Sequence, residues 1–294
     1  MTDFFQLFVV GMMEGGLYAL VGVTVVLVYK STQVASLAHG QILAFGALFF
    51  YLFYSPLGLP LGIALLLTFV ATAFLGFIIE RLALRPLIGQ PLFAAFVVTF
   101  AIFTILDGVF SIILKGESIG FPSFLPKGHI VLCNVDVPKE GLISFIAALV
   151  VFGLLGLLFR YSKIGLNMLA TAENHQLAQS TGISVKKTFS IVWILSSMVA
   201  AVAGMATANV MDIYFPLPYI GIKGLIVALF GGLDSIPGAL LAGLLLGVME
   251  SLSAGYIDPL VGGGVKEVAA YAMLLLILLV KPYGLFGLVR IERI

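Results

Sequence analysis

Apolar residues run along the chain in blocks of about twenty, and blocks of that length cross a hydrocarbon layer of roughly 30 Å as helices. Spans are predicted at Phe5 to Val28, Val34 to Tyr54, Leu61 to Ile79, Leu92 to Leu114, Leu142 to Phe159, Thr188 to Val210, Ala239 to Tyr256 and Val268 to Val280. A further apolar piece, Leu225 to Phe230, lies between Lys223 and "GGLDSIPG". Too short to cross alone, it is expected to tilt in with neighbours or to form half of a broken helix. The pattern therefore predicts an all-α integral membrane protein of about eight helices, some short or broken. Residues 1–294 form a single polytopic domain, with one sizeable external loop over residues 115–140 and a polar loop over residues 160–187.

That polar loop carries a helix of its own. Leu166, Leu169, Ala170, Ala172 and Leu177 fall on one side, and Asn167, Thr171, Asn174, His175 and Gln179 on the other. Gly165 precedes it, and Gly182 can end it in the left-handed conformation. Its polar face offers amides and hydroxyls, whereas helices lying on anionic lipid are rich in Lys and Arg. It reads as a docking element for a protein or as a surface connector.

Composition agrees with the pattern. Hydrophobic residues are 61% and charged residues 10% of the chain, with a mean hydropathy of +1.19, which excludes a soluble fold. A net charge of +1, with no cluster of arginines among aromatics, excludes a nucleic-acid partner. The single cysteine, Cys133, can form neither an internal disulfide nor a metal site and reads as a packing or loop residue. The opening "MTDFFQLF" lacks a basic leader, so the first span is expected to serve as its own targeting signal.

Charge also orients the chain. If "RYSK" and the lysines after it are cytoplasmic, ten of the fifteen Lys and Arg fall inside: Lys30, Arg81, Arg85, Arg160, Lys163, Lys186, Lys187, Lys281, Arg290 and Arg293. The N-terminus is then outside and the C-terminus cytoplasmic, provided that Leu225 to Phe230 counts as a crossing. Small residues at four-residue spacing, Gly11 with Gly15, Gly58 with Gly62, and Ala239 with Gly243 and Gly247, let helix backbones approach closely within a bundle or at a subunit interface.

Ionisable groups inside spans are expensive in lipid and need a partner, a wet cavity or a function. Glu14 and Asp107 sit within spans; Glu250, nearer a span end, reads as a snorkelling or capping residue. Ser36, His39, Gly40 and Gln41 begin a span among small residues, where locally unwound backbone can face a cavity. Asp234 and Ser235 in "GGLDSIPG" offer a similar break. Glu14, Ser36, His39, Gly40, Gln41, Asp107, Asp234 and Ser235 are thus the candidate solute pathway, and no catalytic or metal-ligating set is recognised.

Three function classes meet these features: a permease subunit, an ion-coupled secondary transporter using Glu14, Asp107 and His39 as a relay, and a membrane-embedded enzyme. The last lacks "HExxH" and any facing His or carboxylate cluster at a motif spacing. Absence of "GxxxxGK[ST]" means that any ATP is hydrolysed by another chain and that no cofactor is expected here.

The residues resemble one family over nearly the whole chain, the permeases of branched-chain amino acid ABC importers, specifically the shorter H-type subunit. The resemblance rests on "GGLYAL", "AHG" at Ala38 to Gly40, "ERLALRP" at Glu80 to Pro86, "RYSKIG" followed by "AEN" and "GI" up to Ile183, "AAVAG" at Ala200 to Gly204, "GIKGLIVALFGGLDSIPGALLAGLLLG" at Gly221 to Gly247, and "KPYGLFG". It implies an inner-membrane importer permease for branched-chain or related amino acids. Its implied partners are a second permease, like or unlike itself, cytoplasmic ABC ATPase subunits and a periplasmic solute-binding protein. The polar helix is then the coupling helix, placed by position on Gly165, Ala172, Glu173, Asn174, Ala178, Gly182 and Ile183. Where the family usually has Asn and Phe before "AHG" and an acid after it, this chain has Ser36, Leu37 and Gln41; Glu14 and Asp107 are acids where less polar residues are usual. These differences fall in spans expected to line the pathway and bear on which solute is carried.

Overall fold

The computed structural model describes residues 2–132 and 135–287. Cys133, Arg290 and Arg293 lie outside the described residues, as does the side chain of His175. The chain runs through α1 (Thr2–Thr32), α2 (His39–Tyr54), α3 (Leu61–Ile79), α4 (Leu92–Leu114), β1 (His129–Leu132), β2 (Val135–Pro138), α5 (Lys139–Tyr161), α6 (Lys163–Glu173), α7 (His175–Ser180), α8 (Val185–Met211), α9 (Ile220–Gly231), α10 (Ile236–Tyr256), α11 (Asp258–Val261) and α12 (Val265–Val280). Six helices among the described residues are long and apolar enough to cross a membrane, while α2 and the stretch from Leu217 to Gly231 are apolar but shorter. The protein is an all-α, multi-pass membrane protein.

Successive long helices alternate in direction. The upper end of the bundle carries the start of α1 and the β1–β2 hairpin; the lower end carries α6 and α7. Helices α1 and α8 form the centre, with most of their apolar stretch buried, whereas α3, α4 and α5 bury less than a third and present leucines, valines and phenylalanines outward. Apolar residues on the outside are what a lipid environment allows, because burial of apolar area does not drive helix association there. Small residues take over that role along the α1–α10 seam. A Cβ on Gly15 would lie 2.8 Å from Leu244 Cα, and one on Gly243 2.7 Å from Ala19 Cα, so these two antiparallel helices touch backbone to backbone. Gly58 and Gly62 meet nothing within 4 Å and belong to no such seam.

The elements joining α3 to α4 close the lower end. Helix α3 continues into a π-helical turn, Glu80–Leu84, and a short 3-10 turn, Arg85–Leu87. Buried Glu80 accepts two hydrogen bonds from Arg85, at 3.0 Å each, and one from the Ser190 hydroxyl of α8 at 2.8 Å. This charge-assisted clasp occupies both carboxylate oxygens and ties α3 to the start of α8. At the upper end Val135 and Val137 of the hairpin pack on Met13, and the Gln6 side chain exchanges two hydrogen bonds with the Asp136 backbone.

Candidate functional site

Two helices begin inside the bundle rather than at its ends. The apolar run from Val34 suggests an uninterrupted span, but α2 starts only at His39. After α1 ends, Gln33 turns the chain at φ 62° and residues 34–37 climb outside any helix, with the Leu37 N–H reaching Thr99 Oγ1 of α4 at 3.4 Å. From the other side, Ile213 pairs with Ile119 near the upper end, and the chain descends through a 3-10 turn, Leu217–Tyr219, into α9. The piece Leu225 to Phe230 is therefore the second half of a twelve-residue half-helix about 18 Å long. The starts of α2 and α9 meet. A Cβ on Gly40 would collide with the Pro218 carbonyl and lie 3.0 Å from Gly221 Cα, so only glycines allow the two ends to touch.

His39 holds this junction from behind. It is fully buried, with Nδ1 3.1 Å from Ser36 Oγ, Nε2 2.9 Å from Ser196 Oγ, and its ring 4.9 Å from the Trp193 ring. The single Ser196 hydroxyl proton goes to the Trp193 carbonyl at 3.1 Å. Both ring nitrogens are thus held by serine hydroxyls, one from the turn before α2 and one from α8. Two residues on, Gln41 Nε2 donates to Asp107 Oδ1 at 2.7 Å, tying α2 to α4.

The remaining predicted residues lie apart. Glu14 takes the Lys266 ammonium of α12 at 2.7 Å. Asp234 and Ser235 are not part of the central junction: they form the lower turn between α9 and α10, where Lys30 donates to the Asp234 carbonyl at 3.1 Å and Ser235 Oγ caps α10 on the Gly238 N–H at 3.0 Å. Glu14, Asp107 and His39 thus have three separate sets of partners and form no continuous relay.

Glu250 corrects the sequence reading most clearly. It neither snorkels nor caps; it is fully buried and accepts from Lys223 at 2.8 Å and from the Tyr18 hydroxyl at 2.7 Å, while Lys223 lies 4.9 Å from the centre of the Tyr18 ring. This cluster of α1, α9 and α10 sits beside the start of α9, near the midpoint of α1. Lys223 stood in the sequence only as a flank of an apolar piece. A lone base and a lone acid in two apolar stretches were the available signal, since such charges pair or face water. Above the cluster opens a cavity of about 480 Å³ between α1, α9 and α12, with Tyr18, Lys223, Lys266 and Glu267 on its wall.

The polar loop is also rearranged. It forms two helices broken at Asn174, whose extended backbone lets Oδ1 accept from the N–H groups of Gln176 and Leu177 at 2.9 and 3.0 Å. Gly165 does not precede α6 but lies in its first turn, because Ser162 is the cap; a Cβ there would stand 2.6 Å from Phe159 Cα, so glycine allows the sharp corner after α5. Gly182 closes α7 at φ 85°, with the Ile183 N–H returning to the Ala178 carbonyl at 3.0 Å, as its left-handed reading expects. The facing is reversed: Gly165, Met168, Thr171 and Ala178 are buried, whereas Leu166 and Leu177 are each 64% exposed. Glu173 and Asn174 are exposed at the corner and Ala172 is half-buried.

Residues 7–280 match the family model of the permease component of branched-chain amino acid transport systems. The chain belongs to that family. It is 27% identical to the high-affinity branched-chain amino acid transport system permease LivH of Escherichia coli K12, over 97% of this chain and 96% of the relative. Its identity to the corresponding permease BraD of Pseudomonas aeruginosa is 28%, over 99% and 98% of the two chains. The probable permease LivH of Methanocaldococcus jannaschii is 31% identical over 92% and 89%. The chain is accordingly a transport subunit, a permease without an ATPase site of its own, and the ion-coupled carrier and the enzyme are set aside.

Proposed function

We propose that this permease imports branched-chain or related amino acids across the bacterial inner membrane as half of a permease pair, with the lower end in the cytoplasm. ATPase subunits dock against α6 and α7, a periplasmic solute-binding protein delivers solute at the upper end, and ATP is bound only by the partner subunits. The observation that carries this reading is the pair α6–α7: anchored by Gly165, Met168, Thr171 and Ala178, it presents Leu166 and Leu177 away from the bundle at the end opposite the hairpin. Apolar residues exposed on a polar loop outside the spans mark an interaction surface. The half-helices α2 and α9 supply the kind of element that lines a pathway in transporters, with Ser36, His39, Gly40, Gln41 and Asp107 around their meeting point; Glu14, Asp234 and Ser235 lie at the two approaches to it. The outward and inward packings then differ in stability according to nucleotide, which acts only through differential affinity for the two.

Gentle detergent extraction of the tagged protein from its native membrane, followed by mass spectrometry, tests this. A second permease and ATPase chains are expected to co-purify. Recovery of the chain alone, with uptake unaffected by ATP depletion, would overturn the assignment.

A further inference from the structure

The cavity between α1, α9 and α12 carries, beside the two ion pairs that join its helices, a further charge that neither pair uses. Its wall carries two ammonium groups, Lys223 and Lys266, and the exposed carboxylate Glu267, with Glu250 and Glu14 standing behind the lysines. Five charges that nearly cancel, set around a volume of about 480 Å³, do not suit a cation, which would meet two lysines, nor a plain anion, which would meet Glu267. They suit a molecule that carries both signs. Lys266 gives one N–H to Glu14 at 2.7 Å and keeps two donors for a ligand. The start of α9 borders the same space through Ile220 and Ile222. Tyr271 and Ile222 give an apolar surface between the charges, and Glu250 Oε1, buried without a hydrogen-bond partner among the described residues, leaves an acceptor in reserve behind Lys223.

We propose that this cavity is a transit subsite for a zwitterionic amino acid with an apolar side chain, its carboxylate on Lys266, its ammonium toward Glu267 and its side chain against Ile222 and Tyr271. The proposal rests on the importer reading above and adds a place of recognition within the permease itself. Lys266 and Glu267 are consecutive at the first turn of α12, so a solute leaving the subsite loses both of its charge contacts when that turn shifts.

The test uses the whole transporter in proteoliposomes, with Cys133→Ser and, at a lining position that the solute is not proposed to touch, Met211→Cys in the permease, and follows maleimide labelling of the new thiol. L-Leucine is expected to slow labelling roughly tenfold, whereas isoamylamine, which lacks the carboxylate, and isocaproate, which lacks the ammonium, leave it unchanged. Adding Lys266→Gln should abolish protection by leucine. Should that variant fail gel filtration, Glu267→Gln serves instead, and protection by isocaproate is then expected to approach that by leucine. No protection by leucine, or equal protection by all three compounds, overturns the subsite. ATP-dependent leucine uptake, measured in the same vesicles before labelling, separates the two readings: uptake without protection removes the subsite and keeps the importer, while protection without uptake keeps a zwitterion site and removes the importer of leucine.

Discussion

Lys223 and Glu250 are 27 residues apart in the chain and 2.8 Å apart in the bundle. Neither has water to turn to on the α10 side, where Glu250 is fully buried, so removing one partner strands the other's charge. Lys223→Met is expected to cost about 3–5 kcal/mol, read as an earlier unfolding transition in detergent. Lys223→Met combined with Glu250→Leu should recover most of that loss, because an apolar pair of similar volume needs no compensation. A double variant no more stable than the single one would mean that the pair is not what holds α9 to α10. At this scale the sequence showed which residues needed an explanation but not what would explain them. Glu14 and Asp107 stood out as acids in apolar spans, yet their partners are 252 and 66 residues away, at separations that only the packed helices can bring together. His39 was legible as part of a local unwinding beside Ser36, whereas Ser196 and Trp193 carried no signal, since a serine and a tryptophan inside an apolar helix are ordinary.

Among elements, apolar block length found α3 and α4 at their observed ends, because prolines before both helices and polar residues after them bound the hydrophobic run. Block length failed where the backbone inside the bundle is not helical. Val34 to Ala38 is as apolar as a helix but lies outside one, and hydropathy reports burial rather than conformation. The polar loop shows the complementary error: its periodicity continues across Asn174, while the conformation breaks there because the side chain caps a new helix. That break decides which side chains α6 and α7 turn away from the bundle, where docking is proposed. Leu166→Glu with Leu177→Glu should reduce ATPase co-purification by about tenfold or more, equivalent to at least 1.4 kcal/mol, and leave extraction and gel filtration unchanged, because both side chains point away from the bundle. Glu173→Arg, exposed at the corner of α6, is expected to abolish uptake and weaken ATPase association with normal membrane insertion. Normal uptake by either variant would remove α6 and α7 from the coupling surface.

For the molecule as a whole, the distribution of charge predicts an orientation, which the geometry of the helix ends allows to be tested. Lys30, Arg81, Arg85, Arg160, Lys163, Lys186, Lys187 and Lys281 all fall at or beside the lower ends of the helices. The sequence argument required the short apolar piece to count as a crossing, and α9 meets that requirement with the 3-10 turn before it: the chain leaves α8 at the upper end and reaches α10 at the lower. Moving that many cations across the bilayer during insertion is opposed by the positive-inside bias, so the lower end is expected in the cytoplasm. A Cys133→Ser background isolates the measurement. Ser123→Cys, between α4 and the hairpin, should react with a membrane-impermeant maleimide on intact spheroplasts, whereas Ser180→Cys, at the end of α7, should react only after the membrane is opened. The reverse pattern would put α6 and α7 outside, away from any ATPase, and the docking assignment would fall with the orientation. Reaction of both on intact spheroplasts would mean that α5, the long helix between the two positions, does not carry the chain across the membrane, and the cytoplasmic placement of α6 and α7 would fall with it.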